Sequence, residues 1–412
     1  MDPTNKKQKT TTDENAHPEN DDDDKDEQYD ELSDGSASSI DSTMEREVEW
    51  SFWDSCRDIL MSAEMNLEIN QFSPHKHGVI VCGDKLLQTE ENAIDPAVYT
   101  LVVKHMNSGN DFSIDRSVTF AEVEEYFTAV FGAEKSNMVD CARNPVPATD
   151  PKKRNFIADM TLSIFRDIYD SESNLKHSES MVNSTCLHPA IRFACQAVTK
   201  GKLLFYPGEE RLNAMNMVLG DDTVIYRGDA IVRMRGALEL EVLLLETSNA
   251  LGACTESKKA FDFYKALYGG VAMLKSIANQ FKYGDIKLFK RIKVYFLHAS
   301  KEEVRLWSVQ YVSRHIYVVC REDTAKMPYD YNDLPSDITY FIHFFWVLKL
   351  RLENTISSIE SLITDHEKKK KNDIYGTLSA SENLEIIVEP IPIRLTERVH
   401  INKVPNHPDS FS

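Results

Sequence analysis

The segment from Thr223 to Ser300 limits the fold more than any other part of the chain. Two apolar runs, Thr223–Met234 and Ala237–Ser248, each carry one deeply placed acid, Asp229 and Glu246. Strand side chains alternate faces, so Glu246 shares a face with Leu240, Val242 and Leu244, and Asp229 shares one with Ile225 and Ile231. A carboxylate among apolar strand residues is costly unless it is paired, bound to a metal or at the strand's exposed end. Gly236-Ala237 is the expected hairpin turn between the two runs. Next, Phe261, Tyr264, Tyr268, Val271, Leu274, Ile277 and Phe281 recur at steps of three and four, one continuous helical stripe over Lys258–Phe281. Gly269-Gly270 interrupts that helix. Each glycine costs about 1 kcal/mol against Ala, so the helix is expected to pass close to a sheet or to kink there. Ile292–Leu297 then reads as a further strand. The order strand, strand, helix, strand predicts an α/β (α+β) fold with a mixed central sheet flanked by helices.

The rest of the chain divides into four stretches. Residues 1–44 are poor in apolar side chains and rich in Asp, Glu, Ser and Thr, a composition expected to stay disordered because it buries too little surface to offset its ordering entropy. Residues 45–185 read as mostly helical. Trp50, Trp53 and Ile59–Leu60 suit an opening helix, 97–105 a second, and 120–131 a third, with Thr119 and Glu122 spaced as a capping box. Asn144–Lys153 contains three X-Pro steps and reads as a linker, 156–169 as a helix, and 171–185 as a loop. Residues 186–372 hold the core. His188-Pro189 opens a helix, Leu203–Tyr206 is a short strand ending at Pro207-Gly208, and 304–312 and 315–320 are strands. A long helix over 336–371 presents a stripe from Ile338 to Ile363, longer than one small domain needs, and so open to a protein partner. Residues 373–412 form a Pro-containing tail with one strand, Leu384–Val388.

Composition excludes several classes. No apolar run is long enough to span a membrane, and no apolar stretch follows the N-terminus as a secretion signal would require. Seven scattered cysteines without a Cys-x-x-Cys pair point to reduced intracellular thiols, with nucleus or cytoplasm undecided. Lys6, Lys7 and Lys9 could serve nuclear import. Of the net charge of −19, the stretch Asp13–Asp34 carries twelve acids and one Lys. The remainder is still acidic, against a broad nucleic-acid surface but compatible with a local groove. The tail itself could bind basic proteins as a polyanion. Glu239 and Glu241 alternate with leucines as a solvated face would, and Gly220-Asp221-Asp222 is most simply a turn. Trp307, Tyr311, Arg314 and Tyr317 resemble a single-strand stacking surface, although strand packing explains them more simply. Ser248 has no His at a readable spacing, so a hydrolase triad is not expected, and no Gly-rich phosphate loop is present.

Two carboxylates converging from adjacent strands suit a hard cation such as Mg²⁺, which takes oxygen ligands and promotes phosphodiester cleavage. Gly228-Asp229-Ala230 and Glu246-Thr247-Ser248, followed by helix and strand, resemble the PD-(D/E)XK, or restriction-endonuclease-like, superfamily over residues 186–320. More narrowly they resemble a set of uncharacterised fungal proteins with a Gly-Asp-Ala/Gly strand and a strand ending Glu-x-Ser. The resemblance implies a restriction-endonuclease-like core with Asp229 and Glu246 as metal ligands, and Mg²⁺-dependent cleavage of nucleic acid. The chain departs from the pattern at Ser248, where the superfamily has a Lys. A hydroxyl cannot replace that cation, so the resemblance passes the role to Lys258, Lys259 or Lys265 on the following helix. Asp262 and Lys265, one turn apart, have the spacing of an ordinary surface ion pair. The alternative is a non-catalytic protein-interaction module on the same fold.

Overall fold

A computed structural model describes residues 52–53, 56–58, 69–82, 102, 104, 120–169, 174–220, 225–236, 239–333, 335–372, 383–390 and 393–408. The acidic stretch 1–44, Ile59–Leu60, most of the helix expected over 97–105, Thr119, Ala237 and Asp221-Asp222 lie outside these residues. Seven strands form one mixed sheet: β1 (Val79–Cys82), β2 (Leu203–Arg211), β3 (Arg227–Met234), β4 (Leu240–Ser248), β5 (Lys293–Ser300), β6 (Glu303–Ser313) and β7 (Ile316–Lys326). Their spatial order is β1-β7-β6-β5-β4-β3-β2, with β4/β5 and β1/β7 parallel and the other neighbours antiparallel. Parallel neighbours require a long crossover. Between β4 and β5 the helix Glu256–Gln280 supplies it.

The principal helices are α1 (Glu124–Phe131), α2 (Lys135–Ala142), α3 (Pro151–Ser163), α4 (His188–Ala197), α5 (Asn213–Leu219), α6 (Glu256–Gln280) and α7 (Pro335–Asn372). Helix α6 lies across β4, β5 and β6, while α7 packs on β7, α3 and α4. Both faces of the central strands are therefore covered, and every residue of β4 is buried. Two-sided burial is why Val242–Leu245 of β4 and Val294–Leu297 of β5 read as unbroken apolar runs. Helix α6 runs unbroken through Gly269 and Gly270. They let it touch the sheet: a Cβ on Gly270 would sit 2.6 Å from Val309 Cγ2, and one on Gly269 2.9 Å from Leu244 Cδ2.

Several expectations need correction. The N-terminal region is not only helical, since Val79–Cys82 adds an edge strand beside β7. Its proposed boundary at 185/186 falls within a continuous helical run from Glu179 to Ala197. The Asn144–Lys153 linker ends early because Asp150 caps α3 through the Lys152 N–H (3.0 Å), and Pro151 takes the first turn, where no N–H is needed. The other half of the expected capping box, Thr119, lies outside the described residues, and Glu122 is engaged elsewhere. Its carboxylate takes Lys153 Nζ at 2.7 Å and the Thr149 N–H and hydroxyl. Strand β2 does not stop at Pro207-Gly208 but passes through as a bulge before Glu210. Leu384–Ile387 is a turn of helix rather than a strand. Trp307, Tyr311 and Tyr317 are fully buried packing residues. The α7 stripe assigned to a partner is buried within this chain instead, from Phe341 to Leu362. Among the described residues, no helix is long and apolar enough to cross a membrane.

The α6–β6 contact leaves no room for a side chain at position 270, and Val309 is buried and stiff at χ1. Gly270→Ala is therefore expected to lower stability in urea unfolding by about 1–3 kcal/mol, despite Ala's better helix propensity. An unchanged or higher midpoint would show that the contact relaxes without cost.

Candidate active site

Strands β3 and β4 bring Asp229 and Glu246 to one end of the sheet, beneath the first half of α6. The β3–β4 ladder ends at Ala230/Leu245. One step further, the Thr247 N–H is taken by Asp229 Oδ2 at 2.6 Å instead of by backbone. The Asp229 carbonyl accepts from His188 Nε2 at the start of α4 (3.1 Å), which assigns the proton to that nitrogen. Both carboxylates line a cavity of about 500 Å³, walled also by Glu179, Arg227, Lys258, Lys265 and the segment Arg394–Glu397.

Thr255 starts α6 by accepting the Lys258 N–H on its hydroxyl, the usual N-cap contact. Positions 258, 262 and 265 then follow one another down the helix face above the strand ends. Lys265 Nζ lies 2.7 Å from Glu246 Oε2. The Lys265 ammonium lies 5.8 Å from the centre of the Tyr226 ring, whose hydroxyl donates to the Lys265 carbonyl at 2.5 Å. Glu246 is 2% exposed, and its second oxygen, Oε1, is buried with no hydrogen-bond partner. Lys258 turns elsewhere, to Asp262 (3.0 Å) and Glu397 (3.2 Å). Of the three lysines expected to supply the cation, Lys265 reaches Glu246, Lys258 lines the same cavity in other pairs, and Lys259 is buried outside its lining.

Ser248 lies fully buried behind this layer. Its hydroxyl donates to Asp262 Oδ2 (2.7 Å) and accepts from His298 Nε2 (3.0 Å). The absence of a His partner, expected from the sequence, is thus wrong. The parallel β4–β5 register sets Glu246 beside His298, bringing residues some fifty positions apart into contact. The arrangement is still no hydrolase triad. The carboxylate binds the hydroxyl directly, His298 Nδ1 is an unpartnered buried atom, and no solvent reaches the serine. Asp262 and Lys265 do not form the surface pair their spacing suggested either, because Asp262 is buried against Ser248 and Lys258.

Glu241, expected on a solvated face, is 4% exposed. It accepts the Asn213 and Ala214 N–H groups of the α5 N-terminus at 2.8 Å each and pairs with Arg233. Two sites were not legible at all. Glu179, from the supposed loop, accepts the N–H of Asn249, which sits in the left-handed region at φ 75°. Arg394 comes from the supposed tail. Neither lies in a motif; Arg394 is at least flanked by Ile393 and Leu395, whereas Glu179 sits between two serines and carries no such signal.

The cluster is electrostatically loaded. Burial raises the Asp229 carboxyl to about 7, helped by the charge of Glu179 and opposed by Lys265 and the Thr247 N–H. Burial also holds Glu246 well above the carboxylate range, with Lys265 opposing and Asp229 and Asp262 adding to the rise. Asp262 is raised to about 6 by burial, against the pull of Lys258 and Lys265. Burial works against the Lys265 ammonium, but Glu246, Asp262 and Asp229 outweigh it and raise its pKa. Carboxylates in this state gain by taking up protons or a cation. Among the described residues, no group of three or more His, Cys, Asp or Glu is arranged to hold a metal. The arrangement that exists is two carboxylates with one orphaned oxygen. That suits Mg²⁺, which keeps several waters and is commonly bound through one or two carboxylates. No family model, curated protein or solved structure matches this chain.

The raised Asp229 pKa has a definite effect on stability. Its ordinary value is 3.8 and its folded value about 7, so the folded state holds the extra proton between them. The associated stability is present below about 4 and lost as pH rises toward 7. Asp229→Asn keeps an oxygen for the Thr247 N–H without the charge. In metal-free buffer its melting temperature is expected to exceed wild type at about pH 8, with the gap closing toward about pH 5. A gap independent of pH would refute the assignment.

Proposed function

We propose that this chain has a restriction-endonuclease-like core and hydrolyses phosphodiester bonds of nucleic acid with Mg²⁺. The observation that carries this reading is the pairing of Lys265 with one oxygen of Glu246 while the other oxygen stays buried, unpartnered and in the same cavity as Asp229. The cation absent at position 248 is supplied from α6. Asp229 and Glu246 would hold the metal, and when bound it activates water and stabilises the leaving oxygen.

The protein's own groups do the remaining work. Lys265 fixes the Glu246 rotamer and keeps a positive charge next to the reacting phosphate. Its three donors suit it to orient a water for in-line attack. Tyr226 and the α6 backbone hold that lysine in place, so little reorganisation is needed when charge develops. Ser248, Asp262 and Lys258 form a positioning layer that seats the first turns of α6 on the strand ends. Thr247 and His188 hold Asp229 from opposite sides.

The test is cleavage of labelled DNA and RNA with Mg²⁺ or Mn²⁺. Asp229→Ala and Lys265→Ala are each expected to reduce turnover by about 100-fold or more, the scale of losing a charge-stabilising group. Lys258→Ala, whose partners are Asp262 and Glu397 rather than Glu246, is expected to lose far less. Equal cleavage by wild type and Asp229→Ala would remove the catalytic reading and leave the non-catalytic interaction module. Because a metal ligand must be deprotonated, and Asp229 titrates at about 7, apparent Mg²⁺ affinity is expected to improve by about tenfold from pH 6 to 8. A calorimetric titration that shows no pH dependence would contradict Asp229 as a ligand.

A further inference from the structure

The C-terminal segment is not a loose tail. Leu395 is buried, Glu397 pairs with Lys258, and the Asn406 carbonyl accepts from Tyr264 on α6 (3.0 Å). Beyond it, His407 is wholly buried, its ring 4.8 Å from Phe263 and 5.2 Å from His298. Asn70 holds the Lys403 carbonyl at 2.8 Å from the other side. The segment is a strap tied across α6 at several points, and it forms one wall of the cavity.

The strap brings one cation whose role is otherwise unaccounted for. Four cationic side chains line the cavity: Arg227, Lys258, Lys265 and Arg394. The first three are paired, with Glu209, with Asp262 and Glu397, and with Glu246 respectively. Arg394 makes no ion pair among the described residues, although five carboxylates line the same space. It is exposed at the mouth, while its neighbour Leu395 is anchored inside. A guanidinium fork lining the same cavity as Asp229 and Glu246 is matched in shape and charge by a phosphate, which it can grip through two parallel hydrogen bonds. A polyanion entering an acid-lined cavity also needs a local positive charge to offset repulsion.

We infer that Arg394 is a substrate-binding residue that grips a backbone phosphate neighbouring the one under attack, carried to the cavity by the strap. The inference rests on the nucleic-acid reading above. It makes the C-terminal segment part of the site, so the nucleic acid is held between the strand ends on one side and the strap on the other.

The test is binding of a fluorescein-labelled DNA duplex and a single strand to the full chain, by anisotropy, with Ca²⁺ in place of Mg²⁺ and over a range of KCl concentrations. Arg394→Ala is compared with Arg398→Ala, which removes the same charge from the same strap away from the cavity. Arg394→Ala is expected to weaken binding about tenfold and to reduce the slope of log affinity against log salt by about one, the signature of one lost phosphate contact. Arg394→Lys is expected to keep the slope while losing part of the affinity, because the charge remains and the fork does not. Arg398→Ala is expected to match wild type. Equal affinity and slope for the two alanine variants would overturn the inference while leaving the catalytic reading intact. Wild type that binds with the expected Arg394 dependence but does not cleave with Mg²⁺ would overturn catalysis and support the phosphate contact. Wild type that binds neither probe would overturn both.

Discussion

The site depends on one interaction, the ion pair between Lys265 of α6 and Glu246 at the end of β4. Glu246 is nearly inaccessible, in a strand buried on both sides, where an unpaired carboxylate costs several kcal/mol. Lys265 offsets only part of that cost, because it occupies a single oxygen. The arrangement therefore sets the height and rotation of α6. The helix must lie close enough to the sheet for its lysine to reach the strand end, and Gly269 and Gly270, one turn on, permit that approach. Leu244 fills the space between, with one methyl where a Gly269 side chain would be and the other where a Gly228 side chain would be. The Gly-Asp-Ala strand and the glycine-interrupted helix thus belong to one packing arrangement around a single leucine.

The central architecture was legible because local and long-range signals agree there. Apolar runs of strand length, a stripe at helical spacing and a glycine pair all point to the same strand–strand–helix–strand order. Residues whose role depends on distant partners were not legible. Glu241 alternates with leucines just as a solvated residue would, and only the arrival of the α5 N-terminus and Arg233 makes its burial tolerable. Val79–Cys82 is four residues long, too short for periodicity to separate strand from helix. Leu384–Val388 has strand composition but is governed by Asn383, whose side chain caps a helical turn. His298 became a neighbour of Ser248 through parallel register alone, which no spacing along the chain encodes.

Ser248 ties the end of β4 to the helix that carries Lys265. Positions 246 and 248 share a strand face, so a lysine at 248 would project into the space now filled by Asp262 and Lys258. Here a small hydroxyl occupies it instead, bonded to Asp262 and His298 with no exposure. Asp262 is thereby fixed, Lys258 is drawn onto it, and the first two turns of α6 are pinned to the sheet. Lys265 lies seven residues, close to two turns, beyond Lys258 on the same face, which brings it over Glu246. The serine on the strand and the lysines on the helix are thus linked through one buried polar layer.

The same layer couples the strap to the site. Lys258 bridges Asp262 beneath α6 and Glu397 on the strap, while His407 closes against His298 on the far side of the Ser248 hydroxyl. Burial holds both histidines neutral, His298 further disfavoured as a cation by Arg305 and the nearby lysines, and His407 by His298 itself. A neutral, tightly packed contact keeps its geometry through the physiological pH range, unlike one that depends on a titrating imidazole. Charge is concentrated on the cavity side of this wall and apolar packing on the other. The chain can therefore carry a repulsive, largely buried acid cluster, because the elements that hold it are secured by apolar packing.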